Sequence, residues 1–183
     1  FNVLIRNHVL DSPSNIIIEN DIICMKDNFY KKDDLGFPLY VLYNSDTFKL
    51  SKVYTGYVKF TAGKKTYSIE CYKANIHGYK GQFIAPTETG QVEYDKALQE
   101  ILGLCKSFVL RWPVFYEFKE QFCNYMYGYA ITAYKAQGST YDSIYLDIND
   151  VLLTGPLTPK RKLQTIYTAI TRARNDVYFL KSG

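Results

Sequence analysis

The sequence predicts a mixed α/β fold in which a β-rich insert interrupts a domain built on a largely parallel sheet. Three observations lead there. In the last sixty residues short apolar strands alternate with helical spacing, the pattern of a parallel sheet with crossover helices. From Phe37 to about Ile84 the chain instead breaks into short segments rich in Val, Tyr, Phe and Thr, separated by turn formers, which suggests a small barrel. Helical periodicity frames that stretch on both sides.

Taken in order, Phe1, Leu4, Ile5 and Val9 fall at helical spacing and stop at the breaker Asp11-Ser12-Pro13-Ser14. The run from Asn15 to Met25 is β-prone through Ile16, Ile17, Ile18, Ile22 and Ile23. Leu39 to Tyr43 reads as a strand before the turn Asn44-Ser45-Asp46. Lys52 to Thr61 alternates, Ala62-Gly63-Lys64-Lys65 makes a hairpin turn, and Thr66 to Tyr72 returns. Residues 93–126 read as helical, with Leu98, Ile101, Leu102 and Cys105 on one face. Trp112-Pro113 interrupts them before Phe115, Phe118, Phe122 and Met126 resume the spacing. Tyr129 to Tyr134 reads as a strand entering the polar turn Lys135 to Thr140, and Ser143 to Ile148 as another. After a loop with Gly155, Pro156 and Pro159, the residues Leu163, Ile166, Tyr167 and Ile170 form a helical stripe. Asp176 to Leu180 gives the last strand.

Composition removes several classes of function. The chain of 183 residues suffices for one well-filled core or two small ones. No apolar run approaches the roughly 20 residues that cross a bilayer, so a cytoplasmic setting without a membrane partner is expected. The N-terminus has neither initiator Met nor signal-peptide pattern and reads as cut from a longer protein. Cys24, Cys71, Cys105 and Cys123 lie too far apart for a zinc site or a dense disulfide framework, so reduced thiols are expected. With only His8 and His77, a histidine metal centre or a Ser-His pair is hard to build. No metal site is expected in this chain. Net charge of +4 permits a polyanionic partner without demanding one. The 18 tyrosines are spread along the chain, most suited to strands and core, a minority free to stack on bases.

Two stretches carry chemistry. Ala130 to Asp142, with Thr132, Tyr134, Lys135, Gln137 and Gly138, resembles helicase motif V, close to T-x-H-K-x-Q-G. Ile166 to Arg174, with Tyr167, Ala169, Thr171, Arg172 and Ala173, resembles motif VI, Y-x-A-x-T-R-A. Their order and their separation of about thirty residues on an α/β pattern make the pair specific. The chain resembles the C-terminal part of a superfamily 1 DNA helicase of the UvrD/RecD type, most like phage Dda-type helicases.

That resemblance implies a second RecA-like motor domain, related to phosphate-loop NTPases, from residues 1–36 and 116–183. Its N-terminal strand would be missing, and an SH3-like β-barrel subdomain with a helical return would occupy 37–115. It implies that Arg172 is the arginine finger, because a planar, permanent charge can neutralise the γ-phosphate as phosphoryl transfer proceeds. Gln137 and Gly138 would meet the nucleotide, glycine allowing close backbone approach. Arg174 is either a further ATP contact or a structural salt bridge. Thr132, Tyr134 and Lys135 would touch single-stranded DNA through hydroxyl, ring and ammonium. Two positions depart from the family: Tyr134 replaces the usual His, and Thr140 a frequent acidic residue.

No G-x-x-x-x-G-K-[ST] phosphate loop occurs, and Asp147 and Asp150 read as loop and cap residues. ATP and Mg2+ would therefore bind with the N-terminal RecA-like domain of the same protein supplying the Mg2+ ligands. The isolated chain is expected to have little ATPase activity. Expected partners are single-stranded DNA, that N-terminal domain and a protein docked on the insert. An RNA helicase of a virus or mobile element, and a non-catalytic binding module, are the alternatives.

Overall fold

The computed structural model describes residues 2–10, 16–32, 35, 37–153 and 156–180. They form two compact units, Phe1–Ala130 and Ile131–Gly183. In the first, helix α1 (Asn2–Leu10) precedes strands β1 (Ile22–Met25), β2 (Phe29–Lys32), β3 (Pro38–Leu42), β4 (Thr47–Ala62), β5 (Lys65–Ile76) and β6 (Tyr79–Pro86). Helices α2 (Glu88–Lys106) and α3 (Trp112–Lys119) then lead to β7 (Tyr125–Tyr127). Five strands pair antiparallel in the order β6-β5-β4-β1-β7, and β2 pairs with β3 separately.

The alternation around Lys52–Tyr72 becomes the long β4–β5 hairpin, turned by Gly63 at φ +62. The buried face changes along β5. Tyr67, Ile69 and Cys71 belong to a core with Ala97 and Ile101 of α2 and Phe118 of α3. Beyond them Tyr72, Ala74 and Ile76 join a second core with Ile23, Met25, Leu50 and Phe83. Successive strand residues point to opposite faces, so one strand serves both cores by switching phase between Cys71 and Tyr72. Phe29 and Leu42 of the β2–β3 pair close over the second core. Tyr40 Oη donates to Gln82 O at 2.8 Å and Tyr79 Oη to Val41 O at 2.9 Å, fastening β3 to β6.

Helix α2 starts where Thr87 Oγ1 accepts from Gly90 N at 3.0 Å. A Cβ on Gly90 would lie 1.9 Å from Glu70 O, so only glycine lets this turn sit on β5. The Thr89 and Thr87 hydroxyls donate to the Glu70 carboxylate and hold it below its ordinary range. At the other end the helix closes in a Schellman arrangement. Phe108 N donates to Cys105 O at 3.1 Å and Val109 N to Leu104 O at 2.9 Å. The left-handed position belongs to Phe108, at φ +59. Because its ring is 92% exposed, no burial offsets that conformation. Phe108→Gly is expected to raise stability by about 1 kcal/mol. Denaturant unfolding of the two chains checks this, and a destabilised variant would show that Phe108 has a packing role.

In the second unit β8 (Tyr141–Asp147), α4 (Ile148–Leu153), α5 (Pro159–Ile170) and β9 (Ala173–Leu180) follow one another, with β8 and β9 parallel. The helical crossover between parallel strands is what the alternating pattern expects. Asp147 Oδ1 accepts from Asn149 N and Asp150 N at 3.1 and 3.2 Å, so Asp147 caps α4. All four cysteines are buried free thiols, and burial pushes Cys123 up to about 12.

The structure corrects several expectations. Among the described residues parallel pairing is confined to β8 and β9, while the larger sheet is antiparallel, because β1 and β7 pair with each other rather than with crossover strands. Tyr129–Tyr134 is not a strand: Thr132 O and Tyr134 O accept from Ala136 N and Gln137 N, which curls this stretch into turns. Phe122 and Met126 do not continue the helix. α3 ends at Lys119, and Met126 pairs with Cys24 in the β1–β7 ladder. Ile16–Ile18 is not strand either, because Asp21 turns the chain by accepting from Ile18 N at 2.9 Å. Helix α1 forms, but Leu4 and Val9 face outward and Arg6 is its buried residue. The breaker at 11–14 lies outside the described residues. Among those described, no helix is long and apolar enough to cross a membrane.

Candidate nucleotide and nucleic-acid site

Apart from Ala130, the motif-like residues lie in the second unit. Between Thr132 and Gly138 the backbone curls through successive turns, with Thr132 Oγ1 accepting from Lys135 N at 3.3 Å. Ala136 is buried and anchors the turn, while Thr132, Tyr134, Gln137 and Gly138 remain exposed. Gly138 has φ +85, a left-handed conformation that favours glycine, and the space where a Cβ would stand is open. The chain leaves this turn through Thr140, also exposed, into β8.

Arg172 follows the last turn of α5. Thr158 caps that helix by accepting from Arg161 N at 3.4 Å, and Pro159 suits its first turn. At its far end Arg172 N donates to Ala169 O at 3.0 Å, and Arg172 O accepts from Tyr141 N at 2.8 Å. The backbone of Arg172 is thus fixed both to α5 and to the start of β8. Its Nη2 donates to Thr171 Oγ1 at 3.2 Å, while its buried Nε has no hydrogen-bond partner. Among the described residues no carboxylate pairs with this guanidinium. Arg174 behaves differently: it faces Asp142 at 3.8 Å, with both side chains mostly exposed. Such a pair contributes little to stability.

Tyr134 and Gln137 line a groove of about 790 Å3 with Lys160, Gln164, Tyr167 and Thr168 of α5. Tyr134 Oη lies 3.5 Å from Thr165 Oγ1 at its base. Thr132, Lys135, Gly138 and Arg172 are not part of this lining. The α5 residues were missed because Leu163, Ile166, Tyr167 and Ile170 read only as a helical stripe. In the structure Leu163, Tyr167 and Ile170 are exposed, and the helix buries Thr165 and Ala169. The signal that could have found the groove is the density of cations, amides and hydroxyls interleaved with that stripe: Lys160, Gln164, Thr168. Among the described residues no group of three or more His, Cys, Asp or Glu side chains is placed to hold a metal ion.

With this geometry in view, residues 127–180 match the family model of the UvrD-like helicase C-terminal domain. Both motif-like stretches and every side chain named in this site lie within that span. A stretch of 70 residues is 33% identical to an uncharacterised protein of Acanthamoeba polyphaga mimivirus. It covers 38% of this chain and 14% of that protein, so the chain spans only a small part of the relative it matches.

Proposed function

We propose that this chain is the second motor domain of an ATP-dependent superfamily 1 DNA helicase. In this reading residues 1–36 and 116–183 form the RecA-like part and 37–115 an SH3-like insert. The observation that carries it is Arg172: a guanidinium without a carboxylate partner among the described residues, on a backbone fixed at both sides, inside a span that matches a helicase C-terminal domain. An ATP γ-phosphate held by a facing phosphate-loop domain is the anion that this group suits. Gln137 and the open backbone at Gly138 approach the same nucleotide, with Arg174 at its edge. Thr132, Tyr134 and Lys135 hold a single strand, and the cation, amides and rings of the neighbouring groove favour the same class of ligand.

ATP closes the cleft between the two domains and hydrolysis reopens it, so that alternating grips move the strand. Mg2+, when bound with ATP by the facing domain, would supply charge neutralisation on the phosphates. The described residues offer it no ligand set, and no step assigned to this chain runs through it.

The complete motor is expected to hydrolyse ATP in response to single-stranded DNA and to separate DNA strands, whereas the 183-residue chain alone is inert. Matched DNA and RNA duplexes distinguish the two nucleic acids. A complete protein without nucleic-acid-stimulated hydrolysis, or one that opens only RNA, would sink the reading.

A further inference from the structure

The turn between α2 and α3 has a composition that its fold does not require. Glycine is the ordinary occupant of the left-handed position in a Schellman end, yet Phe108 stands there with its ring in solvent. Val109 beside it is exposed, and so is the indole of Trp112 four residues on. Leu110 anchors the connection: its Cδ2 lies 3.4 Å from where a Cβ on Gly63 would be, against the β4–β5 turn. That contact places Lys64, which is exposed, beside the connection. Lys106 and Arg111 flank the apolar residues and are also exposed. No acidic residue occurs between Glu100 and Glu117, and Glu100 is already paired with Lys65 at 2.6 Å.

We infer that the α2–α3 connection is a nucleic-acid contact, in which Phe108 and Trp112 meet bases of a single strand while Lys64, Lys106 and Arg111 meet its phosphates. Exposed rings interleaved with cations suit a chain that offers a π face and a charge at each repeat. A lipid surface asks for a broad apolar helix face. Here α3 turns Phe118 into the core, with Val114 and Phe115 packed against it, and of its large hydrophobic side chains only the rings of Trp112 and Tyr116 are exposed, which is no broad apolar face. The strained backbone at Phe108 keeps a bulky ring in water, as a residue retained for an external contact requires. This inference does not depend on the motor reading, because it concerns the first unit and has its own reporter.

That reporter is Trp112, the sole tryptophan in the chain. The 183-residue chain is titrated with a 20-nucleotide oligo(dT) at low salt while Trp112 emission is followed. Saturable quenching is expected, weakening as salt rises. In Phe108→Gly the affinity read by Trp112 is expected to fall about tenfold, with a thermal midpoint equal to or above that of the original chain. A fall in affinity without loss of stability separates a contact from a folding defect. Three results would overturn the inference: no quenching by oligo(dT), an unchanged affinity in Phe108→Gly, or a blue shift with phosphatidylglycerol vesicles while oligo(dT) is silent. The last would assign the connection to a membrane surface instead.

Discussion

On the proposed motor reading, replacing Arg172 with alanine in the complete protein is expected to lower DNA-stimulated ATP turnover by about three to five orders of magnitude while ATP still binds. Charge accumulates on the transferred phosphoryl group, and a guanidinium helps most when it is held in place before the charge develops. Arg172 meets that condition through its backbone, fixed to Ala169 O at 3.0 Å and Tyr141 N at 2.8 Å. Because no carboxylate among the described residues pairs with it, no ion pair has to break when it turns to a phosphate. Arg172→Lys should fail nearly as badly, since an ammonium lacks the planar fork. Arg174→Ala is expected to cost far less, its partner Asp142 lying 3.8 Å away at an exposed site. Single-turnover hydrolysis and nucleotide binding, measured on the three variants, check the assignment. A turnover for Arg172→Ala within tenfold of the original would remove it from the chemistry, and an equal loss at Arg174 would reverse the two roles.

How much of this was legible in the sequence depends on whether the signal was local. The hairpin was legible because Gly63 marks its turn and the residues on either side alternate. The polar turn around Gly138 was legible too, since polar residues and a glycine cluster between apolar runs. The parallel β8–β9 pair follows from a helix lying between two apolar runs. What failed was non-local. Phe122 and Met126 keep helical spacing with Phe118, yet Phe122 packs in one core while Met126 pairs with Cys24 about a hundred residues earlier. Nothing near them in the sequence encodes that pairing. Apolar spacing located α1 and α5 without saying which side is covered: Leu4, Val9, Leu163 and Tyr167 have the right period and face outward. Period identifies a helix, but which side is buried depends on what packs against it. The α5 groove was hidden for this reason.

The polar side of α1 leads to the second large effect, a loss of about 3–5 kcal/mol on replacing Arg6 with methionine. Arg6 and Asp21 both have fully buried side chains, at 0% exposure. Arg6 Nε donates to Asp21 Oδ1 at 2.6 Å and Nη2 to Asp21 Oδ2 at 2.8 Å, a two-point geometry with strong directional preference. The same Nη2 donates to Ile16 O at 2.6 Å, and the guanidinium stands 4.7 Å from the centre of the Tyr127 ring. Asp21 also accepts from Ile18 N and from Tyr129 Oη at 2.9 and 3.1 Å. One turn back on the same helix face, Asn2 Nδ2 donates to Ala130 O at 2.7 Å. Helix α1 therefore fastens the chain where it enters the sheet at Asp21 and where it leaves at Ala130. Methionine at position 6 fills much of the volume but strands a buried carboxylate, which is why the expected cost exceeds that of an ordinary hydrogen bond. Arg6→Met combined with Asp21→Asn should recover part of the loss, because the uncompensated charge is then gone. The network also carries a pH dependence. Burial foremost, with Asp21 adding to it, pushes the Tyr129 phenol up to about 12. A raised phenol pKa means that the stability tied to its neutral form is complete below the ordinary tyrosine value near 10. That stability is lost as pH climbs from there toward 12, so the first unit should weaken on the alkaline side before any acid effect of this group. Denaturant unfolding of the single and double variants, repeated between pH 8 and 11, tests both statements. A loss below about 1 kcal/mol for Arg6→Met would mean that water reaches Asp21 and that the pair is not the closed clasp its geometry describes.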